Sequence, residues 1–491
     1  MNVLFIYSGA ENLGIQYLSS FLKDHGHTTS LLLDPGLFSA GAIIINNSLL
    51  ARFLDIDDKI VEKAIAAKPD LIAFSCVTGT YRWSLNLAKK IRQRSNIPIV
   101  FGGIHVTSIP EEVMQHDFID FAVRGEGEHA MLELLESLNH NSNVSLGNIK
   151  NLVYRKDGKV HYNPLRDYIK NLDNLPFPDK SLFYDKIKIW SENYVILTSR
   201  GCPFACTYCC NNIYHTLYQN QNHVRRRSPE NVIAELKLAK EKWNPRLITF
   251  TDDVFANSLP WLEKFIPLYK KEIGLPFNCL THPAILTRRT AELLKSGGCW
   301  MITIGIQSGS ERVRRDIYNR LETNARIEKT IQYARDAGIK LISVDAILGC
   351  PTETKDDLEK SFDLYKQIQP DRIITFWLTY YPNTTILKFA EDAGVLTGTE
   401  IARINEGYTR SPHMEGSITK DKRKIYLKHE TQLQLLCLSR NDKLRKFLGT
   451  ILGYLPSRTV NHGIMVVNAI RNRDFHTINH IKYLWSKKRV P

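Results

Sequence analysis

Cys202, Cys206, Cys209 and Cys210 lie within nine positions, in the run Ser199-Arg200-Gly201-Cys202-Pro203-Phe204-Ala205-Cys206-Thr207-Tyr208-Cys209-Cys210. The run follows an apolar, strand-like segment, so three thiolates are carried on one loop and suit an iron–sulfur cluster. Three protein ligands to a four-iron cluster leave one iron open to a small ligand. Two other chemistries compete. A zinc centre normally takes a fourth protein ligand at recognisable spacing; His215 is the nearest, and it fits poorly. Buried thiols are common in cores, but a core rarely gathers four so closely.

The elements that must position this loop follow from periodicity. With 491 residues the chain is too long for one ordinary domain. Residues 1–144 alternate apolar runs at 2–7, 28–33, 70–76, 98–101 and 118–123 with helical patterns such as 14–24 and 83–94. Near-continuous apolar strands between helices predict an α/β domain, doubly wound and Rossmann-like, with a parallel sheet covered on both faces. Ligands of such sheets bind beyond the carboxyl ends of the strands. Ser75, Thr78, Gly102, Gly103, His105, Gly125, Glu126 and Gly127 fall there. Residues 145–188 read as a connector with a hairpin turn at Asp157-Gly158.

A second series of strands is expected at 194–198, 246–251, 277–281, 300–305, 340–348 and 372–377, with helices between. Six βα units without a Gly-rich dinucleotide fingerprint predict a (β/α)6 partial TIM barrel over 189–394. Chemistry in barrels sits at the strands' carboxyl ends, which places Cys202, Cys206, Cys209, Asp252, Asp253, Gln307 and Gly349 on one rim. Residues 395–491 lose the alternation and read as mostly helical.

Composition narrows the class. Hydrophobic residues make up 43% and charged residues 24%, as in soluble globular proteins. No apolar run is long enough to span a bilayer. The N-terminal MNVLFIYSGAENLG lacks a basic leader and reads as a buried first strand, so a reducing cytoplasm is expected. Nine cysteines there are metal ligands or buried thiols before they are disulfides. The net charge of +14 is concentrated in residues 421–491, with 15 Lys/Arg against 4 Asp/Glu. Such a tail suits nucleic acid, an anionic membrane surface or an acidic substrate, or simply solubilises. Within it, residues 443–455 place Leu444, Phe447, Leu448, Ile451, Leu452 and Leu455 on one helical face. Apolar stripes are generally core, so this one is expected to pack against the barrel rather than lie on lipid. No recognisable RNA-binding module accompanies the charge.

The cysteine run resembles the CxxxCxxC motif of the radical S-adenosylmethionine (SAM) superfamily, with Tyr208 as the aromatic before the last cysteine. Further matches follow in the family's order: RRRSPENVIAEL at 225–236, ITFTDDVF at 248–255, GIQSGS at 305–310, LGCPTET at 348–354 and TYYPNTTIL at 379–387. GIQSGS departs from the family's G-I-E-S-G-S by Gln307 in place of Glu. The resemblance covers roughly 194–394. It implies that Cys202, Cys206 and Cys209 hold a [4Fe–4S] cluster whose reduction splits SAM to a 5′-deoxyadenosyl radical. Tyr208, Asp252, Asp253, Gln307 and Ser308 are the SAM candidates. Asp253 also suits a helix cap and Ser308 a turn. Cys210, Cys279, Cys299 and Cys350 are not expected to be ligands.

Residues 1–144 resemble the cobalamin-binding domain that precedes many radical SAM cores, through FSCVTGT at 74–80, GGIHVTSIPEE at 102–112 and RGEGEHAMLELLESL at 124–138. The D-x-H-x-x-G motif of a lower axial histidine is missing. Asp24-His25-Gly26-His27 has the wrong spacing, so His105 is expected to pack or hydrogen-bond rather than ligate cobalt. The resemblance implies an enzyme acting on an unactivated carbon, with C-methylation of a lipid, isoprenoid or secondary-metabolite scaffold as the leading expectation. A cyclase, rearrangement or oxidative ring-forming enzyme on a tetrapyrrole or lipid is the alternative, and a non-enzymatic cobalamin sensor the third. The partners expected are a small-molecule or lipid substrate, a reductant such as flavodoxin or ferredoxin, no specific nucleic acid, and a peripheral membrane contact through the basic tail.

Overall fold

The apolar runs of the first 162 residues form one seven-stranded sheet in the computed structural model of the chain, which describes residues 1–35, 56–139, 144–408, 420–439 and 457–471, with isolated positions between 441 and 452. The strands are β1 (Asn2–Ser8), β2 (Thr28–Asp34), β3 (Leu71–Ser75), β4 (Ile99–Gly102), β5 (Phe121–Val123), β6 (Leu152–Lys156) and β7 (Lys159–Tyr162), in the order β2-β1-β3-β4-β5-β6-β7. The first five pair in parallel, as two-sided burial of Val3–Ile6, Leu71–Phe74 and Ile99–Phe101 requires. The hairpin read as part of the connector instead completes this sheet, with β6 antiparallel to β5. Leu152 and Val153, on its two opposite faces, are both fully buried, so the hairpin belongs to the first sheet's packing. Strand order reverses between β1 and β3, and that crevice is where such sheets bind ligands.

Two short strands, β9 (Ser199–Arg200) and β10 (Arg225–Arg226), pair antiparallel. Around them stand β8 (Asn193–Ile196), β11 (Leu247–Phe250), β12 (Phe277–Thr281), β13 (Cys299–Gln307), β14 (Leu341–Leu348) and β15 (Arg372–Trp377). These six pair in parallel in chain order from β8 to β15, giving the open six-stranded barrel expected. Strand β13 runs two residues past its expected end, through a register shift between Gly305 and Gln307. A bulge of this kind re-aims a side chain at the rim.

A single buried apolar cluster runs from Val3 and Phe5 through Phe183 and Tyr184 to Ile196 and Phe250, so the two sheets share one core. Polar straps reinforce it. Lys180 bonds Glu11 and the carbonyl of Val195, each at 2.5 Å. Past the barrel, Asn383 donates to the carbonyl of Ser108 at 2.6 Å, and Arg82 lies 3.4 Å from the ring centre of Tyr408.

The helix Lys420–Leu438 packs on β15, where Gln434 donates to the Ile373 carbonyl at 3.0 Å and Thr375 donates to Glu430 at 2.7 Å. Of the expected stripe at 443–455, Phe447 and Leu455 lie outside the described residues. Leu448 and Leu452 pack against Leu435, Val460 and Ile464, whereas Leu444 and Ile451 are exposed. Among the described residues no helix is long and apolar enough to cross a membrane.

Candidate active site

Strand β8 ends at Ile196, and the chain turns through Leu197–Gly201 into the cysteine loop. Asp252, at the end of β11 and fully buried, fixes that turn. Its carboxylate accepts from the Thr198 backbone at 3.1 Å, the Thr198 hydroxyl at 2.7 Å and the Ser199 hydroxyl. Arg226 stands 4.0 Å away and donates to the Thr198 hydroxyl at 2.8 Å. Asp252 therefore holds the root of the loop, with its carboxylate fully engaged. Gly201 follows in the left-handed region, φ +86°, and a Cβ there would stand 1.8 Å from the His223 carbonyl oxygen. Only glycine fits.

The loop is braced from the far side of the barrel. Thr207 donates its backbone N–H to the Tyr318 carbonyl and its hydroxyl to the Ile317 carbonyl, at 3.2 and 2.6 Å. Asn319 donates to the Ala205 carbonyl at 3.1 Å, and Phe204 stacks on His282 with ring centres 3.8 Å apart. His215 donates Nε2–H to the Cys202 carbonyl at 2.9 Å, so it braces the loop and does not complete a zinc set. Among the described residues no three His, Cys, Asp or Glu side chains converge on one point as single-ion ligands do. Cluster cysteines instead each take a different iron.

Arg320 lies against the motif, although no motif or spacing singles it out. It is 5% exposed. Its Nη1 stands 3.7 Å from Cys206 Sγ and 3.4 Å from the Tyr208 hydroxyl, Nη2 donates to the Gly305 carbonyl, and Nε donates to Glu322 at 2.7 Å. A fixed cation thus meets one ligand sulfur, paired with buried Glu322 and tied through the Gly305 carbonyl to the strand bearing Gln307. Burial pushes the Cys202 thiol up to about 12 and raises Cys206, whereas the Cys210 thiol donates to Cys209 and draws Cys209 down to about 7. Burial, with Arg320 adding to it, holds His282 at about 2 and therefore neutral.

Gln307 has φ +71°, a conformation unfavourable for a non-glycine residue. Its amide folds back over Gly305, 2.8 Å from where a Cβ would stand. Strain of this kind collects at functional sites. Ser308 behaves differently. It is 2% exposed, within 3.1 Å of the Ser361 hydroxyl, and anchors β13 to the helix Lys355–Ile368. Cys279, Cys299 and Cys350 are buried and form no disulfide, and Cys350 lies in the apolar cluster against which Tyr208 packs.

A cavity of about 530 Å³ separates the first sheet from the loop, within the range of ligand pockets. Ser75, Gly102, Gly103, Gly125, Glu126 and Gly127 line one side, and Gly201, Cys202, Cys210 and Asp253 the other. Asp253 is exposed to this space. Burial by its surroundings raises its carboxyl pKa and the neighbouring Asp252 adds to this, while a hydrogen bond from Asn211 opposes. Gly103, at φ +98°, has its Cα against Cys76, where a Cβ would be 2.6 Å from the carbonyl oxygen. That close approach lets β4's end turn without a side chain in the cavity. Thr78 and His105 stand behind the wall. They are 2% and 1% exposed, their Oγ1 and Nδ1 are 3.1 Å apart, and His105 packs on Tyr81 at 4.1 Å. Burial brings His105 down to about 3, so it packs as a neutral ring.

The description of the radical SAM superfamily matches residues 196–365, and that of the B12 binding domain matches residues 4–135. Residues 196–365 are a radical SAM domain. A B12-binding domain thus precedes the radical SAM core. The chain is 28% identical to an uncharacterized methyltransferase of Pyrococcus horikoshii, across 77% of this chain and 78% of that one. It is 26% identical to the anaerobic magnesium-protoporphyrin IX monomethyl ester cyclase of Rubrivivax gelatinosus, across 78% and 68%. A solved structure of the radical SAM methyltransferase TsrM from Kitasatospora setae, with cobalamin and [4Fe–4S] cluster bound, shares the fold at a TM-score of 0.65 and 16% identity, covering 97% of this chain and 99% of that one.

The residues present fit these groups. The loop supplies three thiols with a cation beside one of them. The bulged end of β13 supplies a strained polar side chain, and the cavity supplies a side-chain-free approach at Gly102 and Gly103.

Proposed function

We propose that this radical SAM enzyme is a cobalamin-dependent C-methyltransferase acting on an unactivated carbon of a lipid, isoprenoid or secondary-metabolite substrate. One observation carries the reading: the strand ends of the B12-binding domain and the cysteine loop wall the same cavity, with Ser75, Gly102 and Gly103 on one side and Cys202 and Asp253 on the other. When bound, the cluster and SAM supply a radical that removes a hydrogen atom from the substrate carbon, and cobalamin supplies the methyl group that replaces it.

The chain's own residues then have separate tasks. Cys202, Cys206 and Cys209 hold the cluster. Arg320 keeps positive charge beside Cys206, and Asp252 locks the root of the loop. Asp253, Gln307 and Tyr208 would orient SAM. Ser75, Gly102 and Gly103 admit the corrin from the first domain. The shared apolar core holds the two halves together. The basic residues of 421–491 would draw the enzyme to anionic lipid, and a flavodoxin or ferredoxin would supply the electron.

The relatives named as cyclases favour a second reading, ring formation without a methyl product. Anaerobic turnover with methyl-deuterated SAM on isoprenoid and acyl-lipid substrates decides between them. Deuterated methyl in the product supports methylation, and 5′-deoxyadenosine with a product that has lost hydrogen and gained no label supports ring formation. Reconstitution with iron, sulfide and hydroxocobalamin tests the cofactors directly. We expect about four irons per chain with corrin absorbance, and loss of iron in the Cys202/Cys206/Cys209→Ala variant.

A further inference from the structure

The turn Gly125-Glu126-Gly127 forms part of the cavity wall, yet the Glu126 carboxylate is engaged on the barrel side. Its Oε1 meets Arg200 Nη1 at 2.9 Å and Arg225 Nη1 at 2.7 Å, and its Oε2 accepts from the Ile169 backbone at 2.8 Å. The second arm of Arg200 reaches Glu128 at 2.6 Å, the first residue of the helix Glu128–Leu138. The result is a continuous row, Glu128–Arg200–Glu126–Arg225, balanced in charge and with no side chain more than 18% exposed. Aromatic rings flank it, Tyr17 at 5.2 Å from the Arg200 guanidinium and Tyr168 at 4.0 Å from that of Arg225.

We infer that Arg200 is a positioning residue that sets the spacing between the B12-binding domain and the cluster loop, by bridging Glu126 and Glu128 two residues before Cys202. The inference rests on the proposed function, in which both cofactors face one cavity. Three features make the link stiff. A planar guanidinium held by two carboxylates has a fixed orientation, which an ammonium would not have. Gly201, between Arg200 and Cys202, is pressed against the His223 carbonyl and has no room to take up movement. On the other side, Glu126 is bonded through its own carbonyl to Asn151 at 2.9 Å, and Gly125 donates to the Thr107 hydroxyl at 2.9 Å. A displacement on either side of the row therefore reaches the other side's cofactor wall. Both Glu126 carboxylate oxygens are taken up by Arg200, Arg225 and the Ile169 backbone, which leaves Glu126 unsuited to hold the corrin itself.

The test compares the reconstituted holoenzyme with Arg200→Met, Arg200→Lys and the double variant Glu126→Gln/Glu128→Gln. Two readouts are taken: hydrogen exchange across 199–210, and the magnetic interaction between the reduced cluster and cob(II)alamin by electron paramagnetic resonance. We expect exchange in 199–210 to rise about tenfold in Arg200→Met and in the double Gln variant, whose changes lie over 70 residues away in sequence, while the barrel strands keep wild-type protection. The spin–spin interaction should lose its single well-defined value, and Arg200→Lys should fall between. Unchanged exchange in the double Gln variant overturns the inference, and so does exchange that rises evenly over the whole chain, which would mark the row as general stabilisation. If Arg200→Met does not fold, the Gln and Lys variants decide. Wild-type enzyme that takes up no corrin would sink the proposed function but leave the exchange comparison to decide the clamp.

Discussion

Replacing Gly201 by alanine tests how the cysteine loop is held. The backbone there has φ +86°, and the new Cβ would meet the His223 carbonyl oxygen at 1.8 Å, over an ångström inside contact distance. The left-handed conformation alone costs an alanine about 1–2 kcal/mol. Relieving the overlap requires the β9–β10 pair to separate. That stretches the 2.9 Å bond from the Arg227 backbone to the Thr198 carbonyl and the ladder around Arg200 and Arg225, at about 1 kcal/mol for each hydrogen bond lost. With two or three bonds weakened, Gly201→Ala should destabilise by about 3–5 kcal/mol. Gly26→Ala is the matched control, because Gly26 has φ +81° and nothing within 4 Å of its Cβ position. It should lose only the conformational part, about 1–2 kcal/mol. Thermal unfolding of both variants, with iron content after reconstitution, gives the answer. The difference of about 2–3 kcal/mol should make Gly201→Ala unfold roughly 2–6 °C earlier than the control, at about 1–2 °C per kcal/mol for a chain this long, and it should hold less iron. Equal unfolding temperatures with full iron in both would refute the claim that the loop is wedged against His223.

Three further outcomes are expected. Arg320→Met removes the cation beside Cys206 and leaves Glu322 buried without its partner, so the cluster's midpoint potential should become more negative by roughly tens of millivolts, with Arg320→Lys partly restoring it; a potentiometric titration followed by electron paramagnetic resonance measures this, and an unchanged potential counts against a direct electrostatic role. Because burial holds the Cys202 thiol near 12 and raises Cys206, cluster assembly must displace protons, so iron uptake should strengthen from pH 7 to pH 9 and weaken below the value near 7 at which Cys209 gains its proton; uptake that is flat with pH would contradict it. Burial also raises Asp345 to about 7, against an ordinary value near 4. The folded state then holds the proton more tightly than the unfolded chain. The stability this contributes is full at low pH and is lost as pH rises through about 7, so Asp345→Asn should gain stability relative to wild type at pH 8 compared with pH 5, by thermal unfolding at both.

Most of the fold was legible because its signals are local. Apolar runs with helical patterns between them located each strand of both sheets to within a few residues, since two-sided burial demands that pattern whatever the neighbours are. The hairpin at Asp157-Gly158 was legible as a hairpin, but its membership in the first sheet was not. Which edge a hairpin joins depends on the exposed side of β5, and nothing in its own residues records that. The site divides in the same way. Ser75, Gly102, Gly103, Gly125 and Asp253 reach the cavity as their places at strand ends suggested. Thr78, His105 and Ser308 occupy equivalent places in sequence but are turned into the protein by a helix or by packing. A strand-end position fixes where a residue stands, and not which way its side chain points.

The sequence by itself determined the cluster motif, the order of the two α/β units and the lack of an axial histidine motif, because each depends on residues close together in the chain. Only the tertiary structure decided what surrounds the cysteines. Arg320 reaches Cys206 across 114 residues, and Arg200 reaches Glu126 and Glu128 across 74 and 72. A buried charge must find a partner wherever the fold brings one. Arginine has no spacing rule that announces its partner beforehand, whereas the three thiols of this motif stand together in one short loop.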